Sequence, residues 1–95
     1  MPTHEAGYCG WIVYIVQCSD NTLYTGITKN LTARIALHNA GKGARYTRGR
    51  GPVTLLYREL FSDHSDALRR EHEIKHFDRS TKMLLVAQSR IPTIP

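Results

Sequence analysis

Five side chains able to do polar chemistry are spread through this 95-residue chain at spacings that could bring them together. Tyr14 and Tyr24 sit in two β-rich runs, and a phenol buried there needs a partner, so each is either a satisfied structural hydroxyl or a tool for chemistry. Arg34 and His38 are four residues apart, which on a helix places them on one face a turn apart, within reach of one ligand. Glu71 falls inside the apolar arc of a later helix, where a carboxylate needs a partner and Arg70 is the nearest candidate for a structural pair. Lys42, Arg45, Arg48 and Arg50 lie in nine residues without an acid, among Gly43, Gly49 and Tyr46. A flexible basic loop with an aromatic can follow a phosphate backbone and stack on a base, although the same composition also suits a solvated surface loop.

These residues need elements to hold them. Trp11-Ile12-Val13-Tyr14-Ile15-Val16, a turn at Ser19-Asp20-Asn21 and Leu23-Tyr24-Thr25-Gly26-Ile27 read as a β-hairpin. The first strand is apolar on both faces, as expected of a central, covered strand. Both phenols reach one face only if paired residue numbers sum to an even value. Asn30 can cap a helix with Leu31, Ile35 and Leu37 on its apolar side and Gly41 at its end. Val53-Thr54-Leu55-Leu56-Tyr57 reads as a third strand. Ser62 or Ser65 can cap a second helix through Ala67, Leu68 and Ile74 to about Asp78, and Ser80 or Thr81 can start a short third one. The order β-β-α-β-α-α describes an α/β (α+β) domain over residues 10–88, with a loose leader at 1–9 and a proline-bearing tail at 89–95.

Thirteen Lys and Arg against eight Asp and Glu give a charge of +5 and a pI near 9.6, which favours polyanionic partners. The 41% apolar content includes no tract long enough to cross a membrane, and the N-terminus lacks the features of a secretory signal. The cytoplasm is the expected location, with Cys9 and Cys18 as free thiols. His72-Glu73-Ile74-Lys75-His76 spells the zinc-peptidase signature H-E-x-x-H. Its side chains project away from the apolar arc, and no further His or Glu follows His76, so it reads as a solvated face.

Taken in order, Ile12-Val13-Tyr14, Tyr24-Thr25-Gly26, Asn30 through Arg34 with His38, and Ala67 through Glu71 with Lys75 resemble the GIY-YIG nuclease domain, in particular its small stand-alone, UPF0213-like members. The resemblance implies a three-stranded antiparallel sheet flanked by three helices. It also implies metal-dependent DNA cleavage, structure-selective or weakly sequence-specific, in repair or recombination. Tyr14, Tyr24, Arg34, His38 and Glu71 would be catalytic, with Glu71 the one protein ligand of a single Mg2+ or Mn2+ ion and one of the tyrosines taking a proton from water. Lys42, Arg45, Tyr46, Arg48, Arg50 and Lys75 would bind the nucleic acid, and Gly26 and Asn30 would be structural. A partner protein could supply specificity, because the chain leaves no room for a separate DNA-reading domain. Ile12 and Thr25 depart from the two name-giving motifs, which keeps a second expectation open: a module of the same fold that binds DNA or RNA without cutting it. A protein-interaction domain indifferent to nucleic acid is a third.

Overall fold

The computed structural model describes residues 10–88, so the leader expected at 1–9, Cys9 and the tail expected at 89–95 lie outside the described residues. Three strands, β1 (Trp11–Gln17), β2 (Leu23–Thr28) and β3 (Thr54–Phe61), form an antiparallel sheet in the order β2-β1-β3. Three helices accompany it: α1 (Leu31–Asn39), α2 (His64–Lys75) and α3 (Arg79–Gln88). The α+β architecture and element order are those the residues imply.

β1 is the central strand, and Ile12 through Val16 are completely buried because each face of the sheet carries its own layer. Ile12, Tyr14 and Val16 pack with Cys18, Leu31 and Val53 on the α1 side, joined by Tyr24 and Ile35. Val13 and Ile15 pack with Tyr57, Ala67 and Ile74 on the other, joined by Phe77, Leu85 and Val86. A strand covered on both faces has no polar face to alternate with, which accounts for its unbroken apolar run.

The hairpin register decides where the phenols go. Tyr14 pairs with Gly26 and Val16 with Tyr24, so paired numbers sum to 40 and both tyrosines project toward α1. The turn is held by Asp20, whose Oδ1 accepts from the Thr22 hydroxyl at 2.6 Å and the Thr22 N–H at 3.2 Å. Asn21 takes the left-handed conformation there (φ 69°), which asparagine tolerates.

Several local expectations need correction. Asn30 does cap α1, its side chain accepting from the Ala33 N–H at 3.1 Å. Leu37, however, is exposed, and the helix buries His38 instead, because the polar pocket under Tyr14 satisfies the imidazole. Asp63, not Ser62 or Ser65, caps α2, accepting from the Asp66 N–H at 3.0 Å; a charged oxygen is the stronger acceptor. That helix stops at Lys75, because the next N–H groups turn back in short bonds from His76 to Glu73 and from Phe77 to Ile74. Leu68 lies on its exposed side, whereas Ala67 and Ile74 are fully buried. Asp78 accepts from the Thr81 N–H at 2.8 Å, and α3 begins at Arg79, ahead of the expected Ser80 or Thr81.

The basic segment is not a free loop. Its centre, Arg45–Thr47, is a short 3-10 turn, and Thr47 is buried. The Ser19 N–H donates to the Arg50 carbonyl at 2.7 Å, and the Arg50 guanidinium pairs with Asp20. Beyond it, the Val53 N–H donates to Asn39 Oδ1 at 2.7 Å. The segment is therefore clamped to the hairpin turn and to the end of α1.

Candidate active site

Tyr14 stands at the centre of the site. Its ring lies directly over Gly26 on the neighbouring strand: a Cβ there would come within 2.6 Å of Tyr14 Cζ and 3.0 Å of Cε2. The glycine of the second motif is thus required by space and not by backbone conformation. The Tyr14 hydroxyl is 2.9 Å from His38 Nε2, and His38 Nδ1 is 2.7 Å from Thr47 Oγ1. Gly43 closes over the imidazole, where a Cβ would lie 2.9 Å from Cε1.

Burial pushes the Tyr14 phenol up to about 12, outweighing the hydrogen bond from Arg34 that pulls it down; the charges of Tyr24 and Glu71 act in the same field. The cationic neighbourhood expected to ease loss of a proton is present, but at Tyr14 burial outweighs it. Burial likewise lowers His38, helped by the Arg34 charge, so the imidazole is held neutral. Arg34 is half-buried, and its Nε has no hydrogen-bond partner among the described residues. A buried unpaired donor on a permanent cation is a standing cost that an incoming anion relieves.

Tyr24 is the phenol that solvent can touch, since Tyr14 is completely buried while Tyr24 is half-buried. Its ring centroid is 6.3 Å from that of Tyr14 and 5.5 Å from that of His38, and it stacks on Tyr46 at 5.9 Å. Lys75 Nζ stands 6.0 Å from the Tyr24 centroid and 3.2 Å from Glu71 Oε2. The Glu71 side chain is only 15% exposed. Arg70 is not its partner, because that guanidinium is engaged by Glu59 at 3.0 Å and Glu73 at 2.7 Å. The five residues thus come from β1, β2, α1 and α2 to one place.

The outer ring forms a positive rim. Tyr46 is 41% exposed with the Arg50 guanidinium 4.6 Å from its centroid, and Lys42, Arg45 and Arg48 are exposed beside it. Asn30 stands apart as a helix cap. Thr47 and Gly43 escape sequence reasoning, because nothing local marks a threonine or a glycine in a basic stretch as a histidine's neighbour. Lys82 escapes it as well; burial and the charge of Lys75 lower its pKa, which places a further cation beside Lys75. His72, on the exposed face of α2, and His76, at its C-terminal cap, have ring centroids 4.4 Å apart, and His76 Nδ1 meets the His72 carbonyl at 2.7 Å. Among the described residues, no three His, Cys, Asp or Glu side chains cluster to hold a metal.

A lone, largely enclosed carboxylate paired with a lysine still suits a hard divalent cation that keeps most of its shell as water and phosphate oxygens. Glu71 has that character.

Comparison with known proteins finds the GIY-YIG catalytic domain matching residues 10–83. A UPF0213 protein of Staphylococcus haemolyticus is 59% identical over 76 residues, covering 80% of this chain and 93% of that protein. One from Desulfotalea psychrophila is 56% identical over 80 residues, covering 83% of this chain and 73% of that protein. The solution structure of a UPF0213 protein from Bacillus halodurans superimposes with a TM-score of 0.57 at 44% identity, covering 86% of this chain and 87% of that one.

Proposed function

Because this chain belongs to the GIY-YIG family of nuclease catalytic domains, we propose that it is an endonuclease that hydrolyses phosphodiester bonds in DNA with one divalent ion, Mg2+ or Mn2+. The observation that supports this most is the gathering of Tyr24, Arg34 and Glu71 around the buried Tyr14 phenol. Lys42, Arg45, Arg48 and Arg50 follow the nucleic-acid backbone, and Tyr46 offers its exposed ring to a base. Such contacts read phosphate and shape, so recognition is structure-selective or weakly sequence-specific, with repair or recombination the fitting setting and a partner protein the source of any sharper specificity. The cytoplasm is the corresponding location.

Each residue then has a separate task. Arg34 pairs its planar fork with phosphate oxygens, where negative charge builds in the transition state. Tyr24, the solvent-touching phenol, takes the proton from the attacking water. Glu71 would hold the ion, which when bound would supply positive charge to stabilise the leaving group and screen the phosphate. Tyr14 and His38, fully buried, hold Arg34 in place and do not touch the substrate. A Mn2+-dependent nicking assay with labelled duplex and branched DNA tests the reading. Glu71→Gln is expected to abolish turnover while salt-sensitive DNA binding persists. Equal cutting by parent and variant would remove the metal assignment, and binding without cutting by the parent would leave the nucleic-acid-binding module.

A further inference from the structure

The buried polar line that runs from Tyr14 into the basic segment has a direction, and its far end fixes it. At the near end the Arg34 cation, which can only donate, faces the Tyr14 oxygen. At the far end the Thr47 hydroxyl donates to the Ala44 carbonyl at 3.0 Å, and a carbonyl can only accept. A hydroxyl has one proton, so Thr47 Oγ1 must accept from His38 Nδ1–H across 2.7 Å. That leaves Nε2 of the neutral ring as an acceptor, and the Tyr14 O–H donates into it across 2.9 Å. Tyr14, His38 and Thr47 are then each satisfied.

The opposite arrangement has Thr47 donating to Nδ1 and Nε2–H donating to Tyr14. It abandons the bond to Ala44 and leaves the Tyr14 proton facing the Arg34 cation with no acceptor. A buried donor without a partner disfavours that arrangement by about tenfold or more in population. His38 is fully buried, Thr47 is 1% exposed, and Gly43 closes over the ring, so neither residue is open to solvent.

We propose that Thr47 is a positioning residue that selects the Nδ1–H tautomer of His38, and through Tyr14 sets the direction in which Arg34 presents its guanidinium. Thr47 touches no substrate. It holds the histidine, the histidine takes the Tyr14 proton, and the phenol oxygen is left with its lone pairs toward Arg34. The effect on turnover rests on the nuclease reading above; the tautomer does not.

The test uses the full chain. Nitrogen-15 NMR of the His38 imidazole at neutral pH reads the tautomer directly in the parent, in Thr47→Ser, which keeps the hydroxyl, and in Thr47→Val, which keeps the shape but loses the acceptor. The parent and Thr47→Ser are expected to show Nδ1–H, and Thr47→Val to move toward Nε2–H. In the Mn2+ nicking assay, Thr47→Val is expected to lose about 10- to 100-fold in kcat with little change in KM, as for loss of an orienting partner, with Thr47→Ser within about threefold of the parent. A parent ring that is Nε2–H or doubly protonated overturns the proposal, as does Nδ1–H surviving in Thr47→Val. If Thr47→Val does not fold, the parent and serine spectra decide. A parent that shows Nδ1–H but never cuts DNA defeats the nuclease reading and leaves the tautomer assignment standing.

Discussion

Replacing Gly26 with alanine asks whether the contact at the centre of the site is as tight as the geometry says. Gly26 does not use a left-handed backbone, so alanine there would ordinarily be harmless or stabilise by about 0.4–1 kcal/mol through the unfolded chain. Here the new Cβ would lie 2.6 Å from Tyr14 Cζ, far inside contact distance. Tyr14 is fully buried and tied to His38 at 2.9 Å, so the ring cannot yield without breaking that bond. Overpacking costs about 1–3 kcal/mol, and an orphaned buried partner a further 1–3 kcal/mol. Less the ~0.4–1 kcal/mol gained through the unfolded chain, a net loss of about 1–5 kcal/mol follows, against roughly 5–14 kcal/mol of total stability for a chain of this size.

Thermal unfolding followed by circular dichroism should show Tm falling by roughly 4–40 °C. In a Tyr14→Phe background the ring is no longer tied to His38 and can tilt, so the same alanine should cost about 0.5–3 kcal/mol less. A Gly26→Ala protein that melts at or above the parent temperature, or that loses the same stability in both backgrounds, refutes the close approach.

Other expectations follow from individual residues. Tyr24→Phe should abolish nicking, whereas Tyr14→Phe should leave a measurable fraction, because only Tyr24 meets solvent; the reverse ranking would exchange their roles. Burial, then Arg34, keeps the folded-state pKa of His38 below its ordinary 6.5. The unfolded chain therefore binds the extra proton first, and stability is lost as pH falls from about 6.5 toward the folded value, by at most about 1.4 kcal/mol per unit. Urea midpoints at several pH values should show that slope in the parent and a shallower one in His38→Gln; equal slopes count against it. Thr25 Oγ1 is buried with no partner among the described residues, so Thr25→Val should raise the unfolding free energy from urea titration by about 0.5–2 kcal/mol, and a fall would show that the hydroxyl is bonded. Removing Lys42, Arg45 or Arg48 should lower the salt slope of DNA binding by about one each, and an unchanged slope would take the segment off the phosphate path.

Much of the fold is legible because its signals are local. An apolar run covered on both faces, turn residues at Asp20 and Asn21, and the Asn30 cap each act within a few positions of themselves. Where several acceptors stand side by side, as at Ser62, Asp63 and Ser65, the charged one caps the helix and sets the boundary. Leu37 and Leu68 are exposed, because hydrophobic identity does not say which face of a short helix the sheet will cover.

By itself the sequence determined which chemical groups are present, which elements carry them, and that an even register would turn both phenols toward one layer. Only the tertiary structure decided that Tyr14 is dry and Tyr24 wet, that Glu71 answers to Lys75 and not Arg70, and that Thr47 stands behind His38. The physical reason is range. Solvent access and the partners of a buried polar group depend on segments tens of residues away, such as the 24 that separate Tyr14 from His38, and those meet only when the sheet, α1 and the clamped basic segment close together.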